Sequence, residues 1–100
     1  MKRLVDKKLL KLIRTLPCLV CATTRANQVY QTEPDHITTR GAGGDDTVEN
    51  VWPLCGGLSG HHAERHRIGL YSMICKYPVL RNWLELAERF DVLDRMERVF

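Results

Sequence analysis

The chain has 100 residues, of which 44% are hydrophobic, so its length predicts one domain with a small core. The formal net charge of +3 at pH 7 permits an anionic partner such as nucleic acid without requiring one. No apolar run is long enough to cross a membrane, and the charged residues 1–8 lack the apolar stretch of a secretory signal. We therefore expect a cytoplasmic protein with no membrane partner and with reduced cysteines.

Apolar residues at three- and four-residue steps predict an amphipathic helix over residues 4–16, which Pro17 ends. Its apolar stripe consists of Val5, Leu9, Leu12, Ile13 and Leu16. A basic stripe on another face is either a solvated surface, which is the favoured interpretation, or a contact to a DNA backbone. The basic stripe consists of Lys7, Lys11 and Arg14.

A β-hairpin is predicted in the middle of the chain, within an α+β fold that has flanking N- and C-terminal helices. One strand ends near residues 35–39, with a β-prone piece before it at residues 28–32, and a second strand covers residues 48–54. Between them, residues 41–46 form a glycine-rich loop that lacks the Lys-Ser/Thr ending of a P-loop. A helix then begins near Gly60, with Ser59 as its candidate cap, and ends by Gly69.

Further amphipathic helices are expected in residues 70–100, with a break at Pro78. Their charged faces alternate in sign, which is typical of a solvated surface. The predicted domain spans residues 1–100. Its motif core covers residues 18–69, and its helical flanks cover residues 4–16 and 70–100.

Metal-binding side chains are concentrated in one stretch of the chain. All four histidines lie between residues 35 and 66, and three of the four cysteines lie inside this stretch or before it. Cys18 and Cys21 have the two-residue spacing that lets both sulfurs face one tetrahedral ion, and Cys55 supplies a third thiolate. A redox function of the first pair is a remote alternative, because no βαβ pattern surrounds it.

A structural zinc site needs a fourth ligand. The candidates are His61, His62 and Cys75. We expect Cys75 to be a small buried apolar side chain, because it lies beyond a predicted helix and break. His62 and His66 share one face of a helix, whereas His61 points about 100° away. The assignment that uses each group once gives His61 to the zinc, and His62 with His66 to a second ion.

Asp35 and His36 are neighbours at the end of a predicted strand, where successive side chains point to opposite sides. One can therefore bind metal while the other faces a substrate, and a histidine near an anion-bound metal can deprotonate water. Asn50, on the returning strand, can hydrogen-bond across the hairpin and fix the orientation of that histidine. Taken alone, Asn50 would be interpreted as a turn residue.

Together these motifs resemble an HNH endonuclease of the bacteriophage and bacterial type, whose core is the ββα-metal or His-Me finger. The resemblance covers roughly residues 18–69. The segments that carry it are Asp35-His36-Ile37, Arg40-Gly41-Ala42-Gly43-Gly44-Asp45, Asn50-Val51, Pro53-Leu54-Cys55 and His61-His62-x-x-x-His66. The combination is specific, although no single piece would be.

The resemblance implies a metal-dependent DNA endonuclease. His36 would be the general base, Asn50 would orient it, and His62 would be the second histidine of the HNH motif. Arg40 would contact phosphate. A divalent ion, Mg²⁺ or Mn²⁺ with Ni²⁺ and Zn²⁺ as alternatives, would be held by Asp35, His62 and His66. The partners would be DNA and, for a phage protein in the host cytoplasm, proteins of DNA packaging.

The resemblance also implies a structural Zn²⁺, with one departure from the family pattern. The zinc ligands would be Cys18, Cys21, Cys55 and His61. Zinc-containing members usually have two residues between the ligands of the second half-site, but here five residues separate Cys55 from His61. This spacing leaves open whether the site closes or is replaced by packing. The alternative function is a non-catalytic zinc-binding module that interacts with DNA or protein.

Overall fold

The computed structural model describes residues 2–99, so the predicted domain limits Met1 and Phe100 lie outside the described residues. The fold is α+β, as the sequence predicted, with two strands and six α-helices in this range. In chain order the elements are α1 (Lys7–Arg14), α2 (Leu19–Thr24), β1 (Thr32–His36), a 3-10 turn (Arg40–Ala42), β2 (Val51–Cys55), α3 (His61–Ile68), α4 (Leu70–Lys76), α5 (Pro78–Leu86) and α6 (Phe90–Val99).

The predicted hairpin is confirmed, with both strands shifted from their expected positions. β1 and β2 pair antiparallel, which places Asp35 opposite Trp52 and His36 opposite Val51. The second strand starts later than residue 48, because the amides of residues 50 and 51 both bond to the Thr47 carbonyl and form a turn. Every residue of β2 is buried, so this strand runs through the centre of the fold.

α1 is shorter than the predicted helix over residues 4–16. Asp6 caps it, because its carboxylate accepts a hydrogen bond from the Leu9 amide at 3.0 Å. The preceding residues are not helical and instead bond to the glycine-rich loop. The Leu4 amide donates to the Asp45 carboxylate at 2.6 Å, and the Asp46 amide donates to the Leu4 carbonyl at 2.9 Å.

The expected apolar stripe of α1 is largely wrong. The buried residues are Leu10 and Ile13, which pack on β2. Val5, Leu12 and Leu16 are exposed. A helix of 8 residues that rests on a two-stranded hairpin covers only a narrow face, so part of its apolar surface stays in solvent.

α2 begins directly after Cys18, in a segment for which no helix was predicted. It carries Cys21 and ends at Arg25, which adopts a left-handed conformation with φ of 58°. Val20 and Cys21 are buried against the rest of the core. Cys18 and Cys21 therefore lie about one helical turn apart, at the start of α2.

α3 begins at the predicted position but without the predicted cap. The cap residue is Gly60, which makes no side-chain hydrogen bond, and Ser59 does not cap the helix. A Cβ atom at Gly60 would lie only 2.0 Å from the Gly56 carbonyl oxygen, so this turn excludes a capping side chain. α3 ends at Ile68, and the following Gly69 has a φ of 92°, which permits the sharp entry into α4.

The last three helices complete the core around β2. Pro78 starts α5 at its first turn, because its missing amide is not needed there. The core residues of α4, α5 and α6 pack with Trp52 and Leu54 in one cluster. No helix within residues 2–99 has the length and apolar character that crossing a membrane requires.

Candidate metal centres and their pocket

Three cysteines and one histidine converge where α2, β2 and α3 meet. The Nδ1 atom of His61 lies 3.4 Å, 3.5 Å and 3.2 Å from the sulfurs of Cys18, Cys21 and Cys55, respectively. The sulfurs of Cys21 and Cys55 are 3.8 Å apart. We call these four residues the Cys3His cluster. Its cysteines are buried and its histidine is half-buried.

The distances within the Cys3His cluster match tetrahedral coordination. A zinc ion about 2.3 Å from sulfur and about 2.0 Å from nitrogen separates two sulfurs by about 3.8 Å, and a sulfur from a nitrogen by about 3.5 Å. The cluster could therefore bind a metal ion such as zinc. The five residues between Cys55 and His61 do not prevent this, because they fold into a turn closed by a bond from the Gly60 amide to the Gly57 carbonyl.

The fourth cysteine takes no part in the Cys3His cluster. Cys75 was expected to be a small buried apolar side chain, and this expectation is wrong because Cys75 is exposed. α4 buries Met73 and Ile74, and the next position along the helix turns towards solvent. His61 is therefore the fourth member of the cluster by position.

Burial controls the charge of the Cys3His cluster. It raises the pKa of the Cys21 thiol to about 12, and the neighbouring Cys18 adds to this rise. Burial also raises the pKa of Cys55. Burial lowers the pKa of His61, partly offset by Glu64, so its ring is neutral at pH 7. A cation that binds here must displace thiol protons, which couples metal affinity to pH.

A second group of potential ligands forms on the neighbouring face of α3. The Oδ1 atom of Asp35, on β1, lies 3.4 Å from Nδ1 of His62 and 3.5 Å from Nε2 of His66. We call these three residues the Asp-His-His group; their ligand atoms all lie within 4.8 Å of one another. The adjacent residues His61 and His62 thus belong to different groups, as the helical period predicted.

The Asp-His-His group has the unpaired atoms that a bound cation would satisfy. Asp35 is fully buried, and its Oδ2 accepts a hydrogen bond from Trp52 Nε1 at 2.6 Å. Its Oδ1 and the facing Nδ1 of His62 have no hydrogen-bond partner within residues 2–99. Burial lowers the pKa of His66 although Asp35 opposes this, so its ring is neutral at pH 7. Donors of these types at these distances could hold a metal ion.

Arg65, on α3, contacts the C-terminal end of β1. Its Nε lies 3.3 Å from the Oδ2 of Asp35 as an ion pair without hydrogen-bond geometry. Its Nη2 donates to the Ile37 carbonyl at 3.0 Å. The buried guanidinium therefore ties the helix with the two histidines to the strand with the carboxylate.

His36 lies beside the Asp-His-His group and is paired with Asp46. Its Nε2 is 2.7 Å from Oδ1 of Asp46, and the other carboxylate oxygen accepts from the Asp6 amide at 2.9 Å. Burial alone would raise the pKa of Asp46, but the amide of Asp6, His36 and Arg3 together lower it. Because Asp46 is an ionised acceptor, we assign the ring proton to Nε2, which leaves Nδ1 of His36 free to accept a proton.

Asn50 holds the loop between the strands rather than the ring of His36. Its Oδ1 accepts from the Thr38 amide at 2.8 Å, and its Nδ2 donates to the carbonyls of Thr38 and Asp45 at 3.0 and 2.9 Å. The expected bond across the hairpin is thus present, but it reaches backbone. Asn50 therefore contacts the loop that carries Asp46, the residue paired with His36.

One open pocket of about 460 Å³ contains the Asp-His-His group and His36. Arg40, predicted to contact phosphate, lines this pocket. Arg14 of α1 lines it as well, although it lies outside the motif. Glu33 is the other exposed charged side chain at its rim. The pocket therefore combines candidate metal ligands, a proton acceptor and two guanidinium groups.

Sequence reasoning missed three residues that shape this site: Asp46, Trp52 and Arg89. Asp46 pairs with His36, Trp52 bonds to Asp35, and Arg89 donates to Asn50 Oδ1 at 3.0 Å. The pair of aspartates that ends the glycine-rich loop was a usable signal, because consecutive carboxylates near a histidine can bind it. The arginine carried no such signal, since it lies 39 residues from its partner.

The chain was also compared with known proteins. No protein-family model matches it, and neither the search of curated proteins nor that of solved structures finds a match.

Proposed function

We propose that this protein is a metal-dependent DNA endonuclease of the HNH type that hydrolyses phosphodiester bonds. The observation that carries the proposal is the convergence of the Asp-His-His group, His36 and Arg40 in one open pocket. A module that only binds DNA or protein needs no proton acceptor beside a second set of metal ligands. The pocket therefore favours hydrolysis over the non-catalytic alternative.

The residues of the pocket have distinct chemical parts in the proposed reaction. Asp35, His62 and His66 would hold a divalent ion, which supplies positive charge next to the scissile phosphate when it is bound. His36 takes a proton from water at Nδ1, while Asp46 holds the opposite ring nitrogen and stabilises the imidazolium that forms. The water oxygen bonds to phosphorus as the bond to the 3′-oxygen breaks, and the 3′-oxygen takes a proton from solvent. The product carries a 5′-phosphate.

The Cys3His cluster has a different part in this proposal. Its four ligands leave no open position, which is the pattern of a structural zinc site rather than a catalytic one. A Zn²⁺ ion there would join α2, β2 and the start of α3. Because His61 and His62 are adjacent, this ion would fix the helix that carries two members of the Asp-His-His group.

A metal titration with two variants tests the nuclease proposal on supercoiled plasmid. His36→Ala should lower cleavage by about two to four orders of magnitude, the usual contribution of a general base, and added Mn²⁺ should not restore it. His62→Ala should weaken binding of the divalent ion, so high Mn²⁺ should restore part of its activity. Both variants should keep the zinc content of the wild type.

The wild type is measured in parallel with Mg²⁺, with Mn²⁺ and without added divalent ion. Cleavage by His36→Ala at the wild-type rate would contradict the mechanism. A wild type that cleaves equally well with and without a divalent ion would contradict the proposed metal dependence. A wild type that binds DNA and never cleaves it would support the binding-module alternative.

A further inference from the structure

α1 carries a row of basic side chains that begins in the pocket. Arg14 lines the pocket, and Lys11 and Lys7 follow towards the start of the helix. At about 100° per residue, these three positions fall within about 60° of one another around the helix. Leu10 and Ile13 hold the neighbouring face of α1 against β2, so the row has a fixed position relative to the Asp-His-His group.

Helix stability does not explain the whole row, because only Lys11 and Arg14 lie in the last turn, where cations favour the helix dipole. Lys7 lies in the first turn, where a cation opposes the helix dipole, and Lys7 and Lys11 are like charges four residues apart. α1 contains no acidic residue. Within the described part of the chain, neither lysine nor Arg14 forms an ion pair. The three cations are therefore free to bind an anion from outside the chain.

We propose that Lys7, Lys11 and Arg14 form a phosphate track, which leads out of the pocket along α1 and binds the backbone of a polynucleotide beyond the scissile phosphate. The track rests on the proposed nuclease function, because it identifies the substrate as a strand longer than the pocket itself. A rise of about 1.5 Å per residue gives the track a length of roughly 10 Å. Phosphates of one duplex strand follow at about 3.4 Å along its axis, so the track spans about three of them.

This arrangement has consequences for substrate choice. Contacts to backbone phosphates position a nucleic acid without reading its bases, so we infer weak sequence preference. A small phosphodiester occupies only the pocket and gains nothing from Lys7 or Lys11. A polynucleotide gains affinity from each track residue, and this affinity falls with salt concentration as counterions are released.

Salt-dependent binding tests the track with a matched control on the same helix. The measurement is fluorescence anisotropy of a short labelled DNA duplex in the His36→Ala background, which avoids cleavage. Lys11→Ala should weaken binding and reduce the slope of log affinity against log salt by about 0.9 on duplex and by about 0.7 on single-stranded DNA. Lys8→Ala removes the same charge about 90° from the middle of the row and should leave the slope unchanged.

A comparison of two substrates separates the track from the pocket. With the natural His36, Lys11→Ala should raise the KM for plasmid and leave hydrolysis of bis(p-nitrophenyl) phosphate unchanged. Equal effects of Lys8→Ala and Lys11→Ala on the slope would overturn the track, as would an equal loss on both substrates. If the wild type shows the expected slopes but never cleaves DNA, the nuclease proposal is wrong and the track proposal stands. If Lys11→Ala binds DNA and cleaves plasmid as the wild type does, the track proposal is wrong and the nuclease proposal stands.

Discussion

At the scale of single residues, Asp46 connects the proposed general base to the start of the chain. It is 1% exposed, and its two oxygens bind His36, the Asp6 amide and Arg3. A buried carboxylate needs such partners, because an unpaired charge away from water is costly. The His36 ring is therefore held by a group that the N-terminal segment in turn holds in place.

Asp46→Asn should lower plasmid cleavage without changing metal content. An asparagine can present either its oxygen or its amide to Nε2, so the His36 ring no longer has a fixed tautomer. Loss of the corresponding aspartate in a Ser-His-Asp triad costs about 10⁴ in rate, which sets an upper limit here. The measurement is cleavage by Asp46→Asn, by His36→Ala and by the double variant.

The double variant shows whether Asp46 acts by orienting the ring of His36 or by stabilising the fold. If Asp46 acts through the ring of His36, adding Asp46→Asn to His36→Ala should cause no further loss of cleavage. An additive loss would show that Asp46 contributes to the site independently of the ring. Arg3→Lys serves as a milder control, because it keeps the positive charge beside the carboxylate.

At the scale of elements, the residue just before α6 contacts the loop between the two strands. Arg89, just before this helix, donates to Asn50 Oδ1 and to the Glu49 carbonyl at 3.0 and 3.1 Å. It also donates to the Thr38 hydroxyl at 3.1 Å and pairs with both oxygens of Asp91. All five guanidinium donors are used, so this residue fastens the loop between the strands to the C-terminal helices.

Arg89→Lys should lower stability and cleavage together. An ammonium group cannot reproduce the planar set of five donors, so at least one contact to Asn50 or Thr38 is lost. Loss of a hydrogen bond to a charged group costs about 1.5–3 kcal/mol of unfolding free energy. Denaturant unfolding measures this change, and Arg98→Lys on exposed α6 surface is the control. Wild-type stability of Arg89→Lys would contradict the proposed connection.

At the scale of the whole molecule, the Cys3His cluster joins parts of the chain that are far apart in sequence. α2, the end of β2 and the start of α3 meet there, and the main hydrophobic core lies around its cysteines. A chain of 100 residues buries little apolar surface relative to its length. A bound metal ion would therefore contribute a large share of the folding free energy.

The purified protein should contain about one tightly bound zinc ion, and its removal should unfold the chain, since such sites contribute about 10 kcal/mol or more. His61→Ala should lose this zinc, whereas His66→Ala should keep it. Acid should release the ion, because protons compete with the cation for the thiolates. The raised pKa values of Cys21, about 12, and of Cys55 favour the protonated thiols in this competition. Elemental analysis and thermal unfolding between neutral and acidic pH measure both effects. A metal-free protein with unchanged thermal stability would rule out a structural zinc.

The Cys18–Cys21 pair, the His62–His66 pair and the hairpin were predictable from the sequence, because each follows from local spacing. Two residues stand between Cys18 and Cys21, and His62 and His66 lie four positions apart on one helix face, and these spacings fix which side chains can share an ion. The period of the helix separated His61 from His62 in the same way. The α+β class followed from a glycine-rich loop between two β-prone segments.

The burial of single side chains and the contacts between distant segments were decided by tertiary structure alone. The sequence pattern did not distinguish Leu10 from Leu12 as the buried side of α1, because that choice depends on where the helix meets β2. The pattern also did not predict that Cys75 is exposed, or that Arg89 contacts Asn50, which is 39 residues away. Spacing along the chain determines which neighbouring side chains can act together. Contacts between distant segments depend instead on how the core packs, and they pair buried groups that no local sequence pattern connects.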